Sequence, residues 1–268
     1  MTFTLFSHFY NEELLLPFWI KHHQKLFDHA VLIDYGSTDN SVDIIRTLAP
    51  TWEIVRSRNE KFGAGPCDAE VMDHETRFGG WKIALNTTEF LLHWDLNEEV
   101  EKIGRMDPGI RTQGVIMIDP QRHRNMLLTE SPLMLQRYHG YYESDNRSRS
   151  RLFHNQKHGW YKVGRHLSNY HCGIDVNFLC LWFGWSPMDF IKTRKMQIQH
   201  RIPKEQFALG HGIEHILDDG KFEWAYAQQV GKTTDLTQIV HYRDILTTVR
   251  DRLYADEALP WEMVGLIK

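Results

Sequence analysis

The chain has 268 residues, of which 42% are hydrophobic and 25% are charged, a globular composition that excludes a disordered chain. Its 31 basic and 35 acidic residues give a formal net charge of −4, which argues against a nucleic-acid-binding protein. The three cysteines are scattered and form no Cys-x-x-Cys motif, so the sequence predicts a cytoplasmic protein without disulfides. No window holds about 18 uncharged apolar residues, and we expect no transmembrane segment.

The first hundred residues alternate strand-like and helix-like patterns. Short apolar runs predict strands over residues 2–9, 30–33, 52–55 and 81–85. Helices are predicted between them, beginning at Asn11 and covering residues 42–48 and 67–78. The segment 63–66 between the third strand and its helix reads as a flexible loop. Alternating strands and helices predict a parallel sheet flanked by helices, which is an α/β fold.

The second half has shorter and more aromatic strand signals. Strands are predicted over residues 114–118, 150–153, 161–163 and 178–182, and helices over residues 187–199 and 242–253. No change in composition separates the halves, so we expect a single domain over residues 1–268 with the second half extending and covering the sheet.

Polar segments follow each of the first four predicted strands. They are residues 9–12, 34–37, 56–58 and 86–89. Because the carboxyl ends of parallel strands meet at one edge of the sheet, and ligands bind there, these segments should form one site.

Two of these segments carry a family resemblance. Asn11-Glu12-Glu13 after the first strand, and Asp34-Tyr35-Gly36-Ser37-Thr38-Asp39 after the second, resemble the opening of family 2-type glycosyltransferases with the GT-A fold. Residues 81–91, 161–166 and 185–187 resemble a branch that is similar to the family 92-like glycosyltransferases. The resemblance implies a GT-A-like, mostly parallel mixed sheet flanked by helices.

The resemblance also implies an activity, and it assigns donor binding and acceptor binding to different parts of the chain. The activity is transfer of a sugar from a nucleotide-sugar donor to a glycan or lipid-linked acceptor, with inversion. Residues 1–100 would be the nucleotide-sugar-binding half, and residues 101–268 the acceptor half with its C-terminal helices. A lipid-linked acceptor would bring the protein to the membrane periphery.

The predicted donor-binding residues combine the resemblance with the polar segments. They are Asn11, Glu12, Asp34, Gly36, Ser37, Arg58, Asn86, Thr88, Arg165 and His166. Asp34 can accept a hydrogen bond from a base or ribose hydroxyl, and capping of its own turn is the alternative interpretation. Arg56 and Arg58 alternate at a strand end and so point the same way, which would suit a phosphate.

The family's metal-binding Asp-x-Asp motif falls on Asn86-Thr87-Thr88, where both aspartates are missing. Divalent cations prefer carboxylate ligands, so three alternatives stay open. Glu89 could hold Mn²⁺ or Mg²⁺ with a late histidine, His215 or His211. Arginines of the 147–165 region could replace the metal. Catalysis could also be lost, leaving a non-catalytic nucleotide-sugar or glycan-binding protein.

Catalytic residues are predicted less sharply than donor-binding residues. Glu89 and Glu214 are the predicted catalytic groups, and Asp175 and Asp189 are alternatives for the base. Residues 211–215 also match His-x-x-Glu-His, a zinc-protease pattern. A zinc hydrolase using His211, Glu214 and His215 is therefore a further alternative, although Gly212 weakens the helix it requires.

Overall fold

The computed structural model describes residues 1–103, 107–120, 127–144, 149–208 and 218–263. Within these ranges the chain forms ten strands and ten α-helices around a single sheet. No helix in the described ranges has the length and apolar character needed to cross a bilayer.

The first half is a parallel α/β unit. Its strands are β1 (Phe3–Phe9), β2 (His29–Asp34), β3 (Glu53–Arg56) and β4 (Trp81–Ala84). Its helices are α1 (Leu16–His23), α2 (Ser41–Leu48) and α3 (Ala64–Glu75). The strands pair in parallel in the order β4-β1-β2-β3, which confirms the predicted parallel arrangement.

The second half extends the sheet with strands of both directions. They are β5 (Glu89–Leu92), β6 (Gly109–Ile118), β7 (His139–Tyr142), β8 (Leu152–His154), β9 (Gly173–Trp185) and β10 (Thr234–Asp235). The order continues from β4 through β8, β6 and β7 to β10, while β9 pairs in parallel with β6 and antiparallel with β5. The predicted α/β fold with a mixed sheet is confirmed.

Helices of the second half cover the extended sheet and its ends. They are α4 (Leu96–Ile103), α5 (Leu133–Gln136), α6 (Met188–Gln199), α7 (Lys204–Ala208), α8 (Asp219–Val230), α9 (Val240–Leu253) and α10 (Pro260–Met263). The predicted helices 187–199 and 242–253 correspond to α6 and α9.

Side chains alternate between two buried faces along the central strands. Leu5 and Phe9 of β1 pack into the core shared with α1, α2 and α9. Phe6 packs on the opposite face with Val71 of α3. Strands buried on both faces read as continuous apolar runs, which is why the sequence identified them.

Two helix starts differ from the prediction. Residues 11–15 do not belong to α1, because Asn11 has a left-handed φ of 51° and the helix begins only at Leu16, with Pro17 in its first turn. Residues 64–66, expected in a flexible loop, are instead the first turn of α3. Proline fits a first helical turn, where its missing N–H has no intrahelical acceptor.

The strand predicted over residues 161–163 is wrong. Only an isolated bridge joins Tyr161 to Ser168. Gly164 and Arg165 follow with φ values of 89° and 58°. These left-handed residues turn the chain back, so that the Lys162 N–H donates to the carbonyl of Leu167 at 2.8 Å.

The free edge of β5 is covered by side chains of α1. The Trp19 indole donates to the Glu89 carbonyl at 2.9 Å, and His22 Nε2 donates to the Leu91 carbonyl at 2.7 Å. The Leu91 N–H in turn donates to His23 Nε2 at 3.3 Å. Both imidazoles are buried, and burial lowers both pKa values, that of His22 to about 4. They are therefore neutral near pH 7.

Acid should weaken this fold through His22. Its pKa falls from 6.5 to about 4 on folding, so only the unfolded chain gains this proton as the pH drops between those values. The free energy of unfolding should then decrease by up to about 3 kcal/mol from this group. Thermal unfolding between pH 6.5 and 4.5 should show a shallower loss of Tm for His22→Gln than for the wild type. Parallel pH profiles would contradict the assignment.

Candidate functional site

The order of the parallel strands predicts where a ligand-binding crevice lies. The chain passes from β1 to β2 and β3 with α1 and α2 on one face, and then returns to the other side of β1 for β4 with α3 on the opposite face. At such a switch point the crossovers diverge and leave a crevice at the carboxyl ends of β1 and β4. The four predicted polar segments all lie at this edge, since the strands that precede them are parallel.

The segments after β1 and β2 are joined by hydrogen bonds. The Asn11 N–H donates to Ser37 Oγ at 3.1 Å, and the Thr38 N–H donates to Asn11 Oδ1 at 2.8 Å. The left-handed backbone of Asn11 allows both contacts, and asparagine tolerates it better than most residues. The structure therefore brings together Asn11 and Ser37, two predicted donor-binding residues.

Asp34 organises the turn that follows it. Its Oδ1 accepts from the N–H groups of Gly36 and Ser37 at 2.9 and 2.8 Å. Its Oδ2 accepts from Arg56 Nη1 at 3.1 Å. Gly36 has a φ of 89°, and a Cβ atom there would collide with the Arg56 guanidinium. The exposed Arg56 side chain could move aside, so glycine is favoured here mainly on conformational grounds.

Arg58 turns away from the end of β3 toward α3. Its guanidinium pairs with Asp73 at 2.5 Å, while its backbone N–H donates to Glu70 at 2.8 Å. Burial would raise the pKa of Glu70, but hydrogen bonds from Arg58, Ser57 and Asn59 outweigh this and lower it. Glu70 therefore fixes the segment after β3, and phosphate contact by Arg58 stays a prediction.

Helix α6 brings a cation onto the end of β1. Arg194 Nε donates to Glu12 Oε1 at 2.5 Å. The Glu12 N–H donates to Ser41 Oγ at 2.8 Å, so this residue links the crevice to α2. Burial raises the pKa of Glu12 even though Arg194 opposes the shift. Just beyond α6, the Arg201 guanidinium lies 4.1 Å from the ring centroid of Tyr10.

Asn86 and Thr88 are the residues on which the resemblance places the missing Asp-x-Asp motif, and Glu89 follows them as the first residue of β5. The Glu89 carboxylate accepts from Arg151 Nε and Nη2 at 2.7 and 2.6 Å. It also accepts from the Asn86 backbone and side-chain nitrogens at 2.8 and 3.3 Å. Glu89 and Arg151 are each only 1% exposed. Thr88 is buried, and its carbonyl accepts from the Phe183 N–H at 2.7 Å.

Arg165 links Asn86 to α3. One guanidinium nitrogen donates to Asp68, and the other donates to Asn86 Oδ1 at 2.8 Å and lies 3.4 Å from His8 Nδ1. The Gly164 N–H donates to the other Asp68 oxygen at 2.6 Å. Arg151 closes the ring by donating to the Gly164 carbonyl at 2.5 Å.

Two histidines report the sign of the local electrostatic field. Burial is the main cause of the low pKa of His8, and Arg165, Arg151 and Arg194 lower it further. Burial together with Arg151 and Arg149 lowers the pKa of His166 to about 2. Both histidines are therefore neutral, and both experience a positive potential from arginines around the crevice. Such a field suits an anionic ligand.

Asp175 lies apart from this site, and three other predicted residues fall outside the described part of the chain. Glu214, His211 and His215 lie outside the described residues. Asp175 lies at the opposite edge, at the amino end of β9, where it pairs with Lys102. It is therefore remote from the crevice as a candidate base.

Sequence reasoning missed His8 and Arg194. His8 lies on the same face of β1 as Phe6, two residues earlier, and that alternation could have placed it near the crevice. Arg194 meets Glu12 across 182 residues of chain, and no local pattern links them.

The described residues do not fit a divalent cation. They contain no group of three or more His, Cys, Asp or Glu side chains placed to hold a metal ion. The oxygens of Glu89 already accept from Arg151, and Asn86 Oδ1 accepts from Arg165. A hard cation at this position would have to displace a guanidinium to find an anionic oxygen.

No protein-family model matches the sequence, and a search of curated proteins finds no match. Among solved structures, S. aureus TarS 1-349 in complex with UDP is 10% identical, with a TM-score of 0.42, over 100% of this chain and 92% of that one. HddC from Yersinia pseudotuberculosis is 7% identical, with a TM-score of 0.40, over 72% of this chain and 97% of that one.

A third structure, glucosyl-3-phosphoglycerate synthase from Mycobacterium tuberculosis with Mn²⁺, UDP and glucosyl-3-phosphoglycerate, is 15% identical with a TM-score of 0.23. It covers 33% of this chain and 34% of that one. Similarity at this level does not assign the chain to a family.

Breaking the Glu89–Arg151 pair should destabilise the protein. Glu89→Gln leaves a buried guanidinium without its anion, which typically costs about 3–5 kcal/mol. Chemical denaturation should show this loss. The matched control is Asp43→Asn, which removes the anion of the exposed Asp43–Arg46 pair and should leave the unfolding midpoint unchanged. Equal midpoints for the two variants would contradict a structural role for Glu89.

Proposed function

We propose that the protein is a glycosyltransferase that uses a nucleotide-sugar donor. The observation that carries this proposal is the hydrogen-bonded turn of Asn11, Asp34, Gly36 and Ser37 beside a crevice with a positive potential. The turn follows the strand ends where α/β sheets bind ligands. Its residues are those that resemble the nucleotide-binding opening of family 2-type glycosyltransferases.

Sugar transfer requires a place for the nucleoside and stabilisation of the leaving diphosphate. In our proposal the nucleoside lies at the ends of β1 and β2, where Asp34 and Asn11 offer oxygen acceptors. The diphosphate then crosses the end of β1 toward Asn86 at the end of β4. There the positively charged arginines stabilise the negative charge that develops on the leaving diphosphate.

The acceptor is proposed to enter from the side of the second half of the chain. Helix α6 lies over the end of β1 through the Arg194–Glu12 pair and can form one wall of the acceptor region. Glu214 remains the proposed base, and inversion at the sugar remains an implication of the resemblance. A glycan or a lipid-linked glycan is the proposed acceptor class.

A non-catalytic nucleotide-sugar-binding protein is the second candidate. One observation favours it: three carboxylates beside the ends of β1 and β4, Glu12, Asp68 and Glu89, are each paired with an arginine. A base for the acceptor hydroxyl would have to come from elsewhere. Turnover of radiolabelled UDP-, GDP- and TDP-sugars separates the candidates, because nucleotide binding without transfer or hydrolysis of any donor would establish the binder.

The zinc hydrolase alternative is tested separately. It depends on His211, Glu214 and His215, which lie outside the described residues. Zinc content of the purified protein measures it directly, and a stoichiometric zinc ion would favour the hydrolase over the transferase.

Asp34→Asn should weaken nucleotide binding without unfolding the turn. The amide oxygen can still accept from Gly36 and Ser37, whereas a base or ribose donor loses a charged acceptor. A hydrogen bond to a charged group is worth about 1.5–3 kcal/mol, so calorimetry should show at least about tenfold weaker binding. Asp43→Asn, at an exposed position of α2, serves as the control. Unchanged affinity in Asp34→Asn, with unchanged Tm, would place the nucleotide elsewhere.

A further inference from the structure

Three acidic groups beside the ends of β1 and β4 are engaged by arginines. Glu12 binds Arg194 at 2.5 Å, Glu89 binds Arg151 at 2.7 and 2.6 Å, and Asp68 binds Arg165. The amide oxygen of Asn86, which replaces the first aspartate of the metal-binding motif, accepts from Arg165 at 2.8 Å. These three carboxylates and the Asn86 amide oxygen therefore each already face a guanidinium.

A divalent cation would be unfavourable at this position. Arg151 and Arg165 are only 1% and 3% exposed, so an ion that took their acceptors would leave two buried cations unpaired beside a third charge. After burial, the same two arginines and Arg194 lower the pKa of His8 further, so a metal ion would add its charge to a region that already holds three guanidinium groups.

Arg165 also has a guanidinium nitrogen with no hydrogen-bond partner in the described part of the chain, and an unusual backbone conformation. Its Nε is buried without a hydrogen-bond partner among the described residues. It holds a left-handed φ of 58° next to Gly164, at 89°. Non-glycine residues in this conformation concentrate at ligand-binding sites. Guanidinium groups bind phosphate oxygens through charge-assisted, frequently bidentate hydrogen bonds.

From these observations we infer that the nucleotide diphosphate is bound without a divalent cation, with Arg165 and Arg194 in the place of the metal. Arg165 is bonded to Asn86 at the end of β4, and Arg194 extends from α6 to Glu12 beside the end of β1. This inference rests on the proposed function, because it assumes that the crevice receives a nucleoside diphosphate.

Calorimetric titration with UDP, GDP and TDP, each in excess EDTA and again in excess MnCl₂, tests the inference. We expect at least one nucleotide to bind, with dissociation constants that agree within about twofold in the two buffers. Binding that requires Mn²⁺ would overturn this inference and leave the proposed function intact. Absence of binding in both buffers would overturn the proposed function and this inference with it.

Variants then test the two arginines. Arg194→Gln removes a side chain that is 21% exposed and should weaken metal-free binding at least about tenfold. Arg165→Lys keeps the charge but loses the planar donor set, and it should also bind more weakly. Arg46→Gln on α2, 69% exposed, is the matched control and should bind as the wild type does. Wild-type affinity in both site variants, with folding verified by Tm, would overturn the assignment to these arginines.

Discussion

The buried ion pair between Glu89 and Arg151 holds the two halves of the chain together where the parallel strands end. The pair belongs to a closed ring of hydrogen bonds. Arg151 donates to the Gly164 carbonyl, and the Gly164 N–H donates to Asp68. Asp68 also accepts from Arg165, which donates to Asn86, and the Asn86 N–H donates back to Glu89, the partner of Arg151. Each member is buried or half-buried and is positioned by its two neighbours in the ring. Removing one therefore leaves polar groups unpaired at a low dielectric, where this is most costly.

The ring also explains how a protein with a net charge of −4 can offer a positive crevice. Each carboxylate and its arginine cancel in the net charge, but the two charges lie at different places, so each pair has a direction and leaves a local electrostatic field. Burial is the main cause of the lowered pKa values of His8 and His166, and nearby arginines lower both further. The overall balance of charge thus says little about the field in the crevice, which depends on the direction of each pair.

The sequence predicted the parallel strands and the edge at which the polar segments meet, because continuous apolar runs and turn residues are local signals. It failed where a distant contact overrides local preference. Asn11 looked like a helix start, yet its backbone follows the hydrogen bond to Ser37, 26 residues away. Strands β5 and β7 were not predicted, although β3 and β4, which are equally short, were.

The same limit applied to the candidate site. The sequence predicted four site residues together because they belong to two short motifs at the ends of neighbouring strands. They are Asn11, Asp34, Gly36 and Ser37. The partners of Glu89, Asp68 and Glu12 lie 62, 97 and 182 residues away. Their pairing depends on how loops and helices cross the sheet, which no periodicity encodes.

The histidine cover on β5 has a consequence beyond the folding equilibrium. A protonated His23 cannot accept from the Leu91 N–H, and a protonated His22 cannot accept from the Tyr254 hydroxyl that now bonds its Nδ1 at 2.7 Å. Once the His23 contact is lost, the Leu91 N–H on the free edge of β5 has no acceptor, although a protonated His22 still donates to the Leu91 carbonyl. An unpaired N–H on a strand edge is a point at which a strand from another molecule can pair. A neutral His23 therefore protects this edge against intermolecular strand pairing, and that protection weakens in acid.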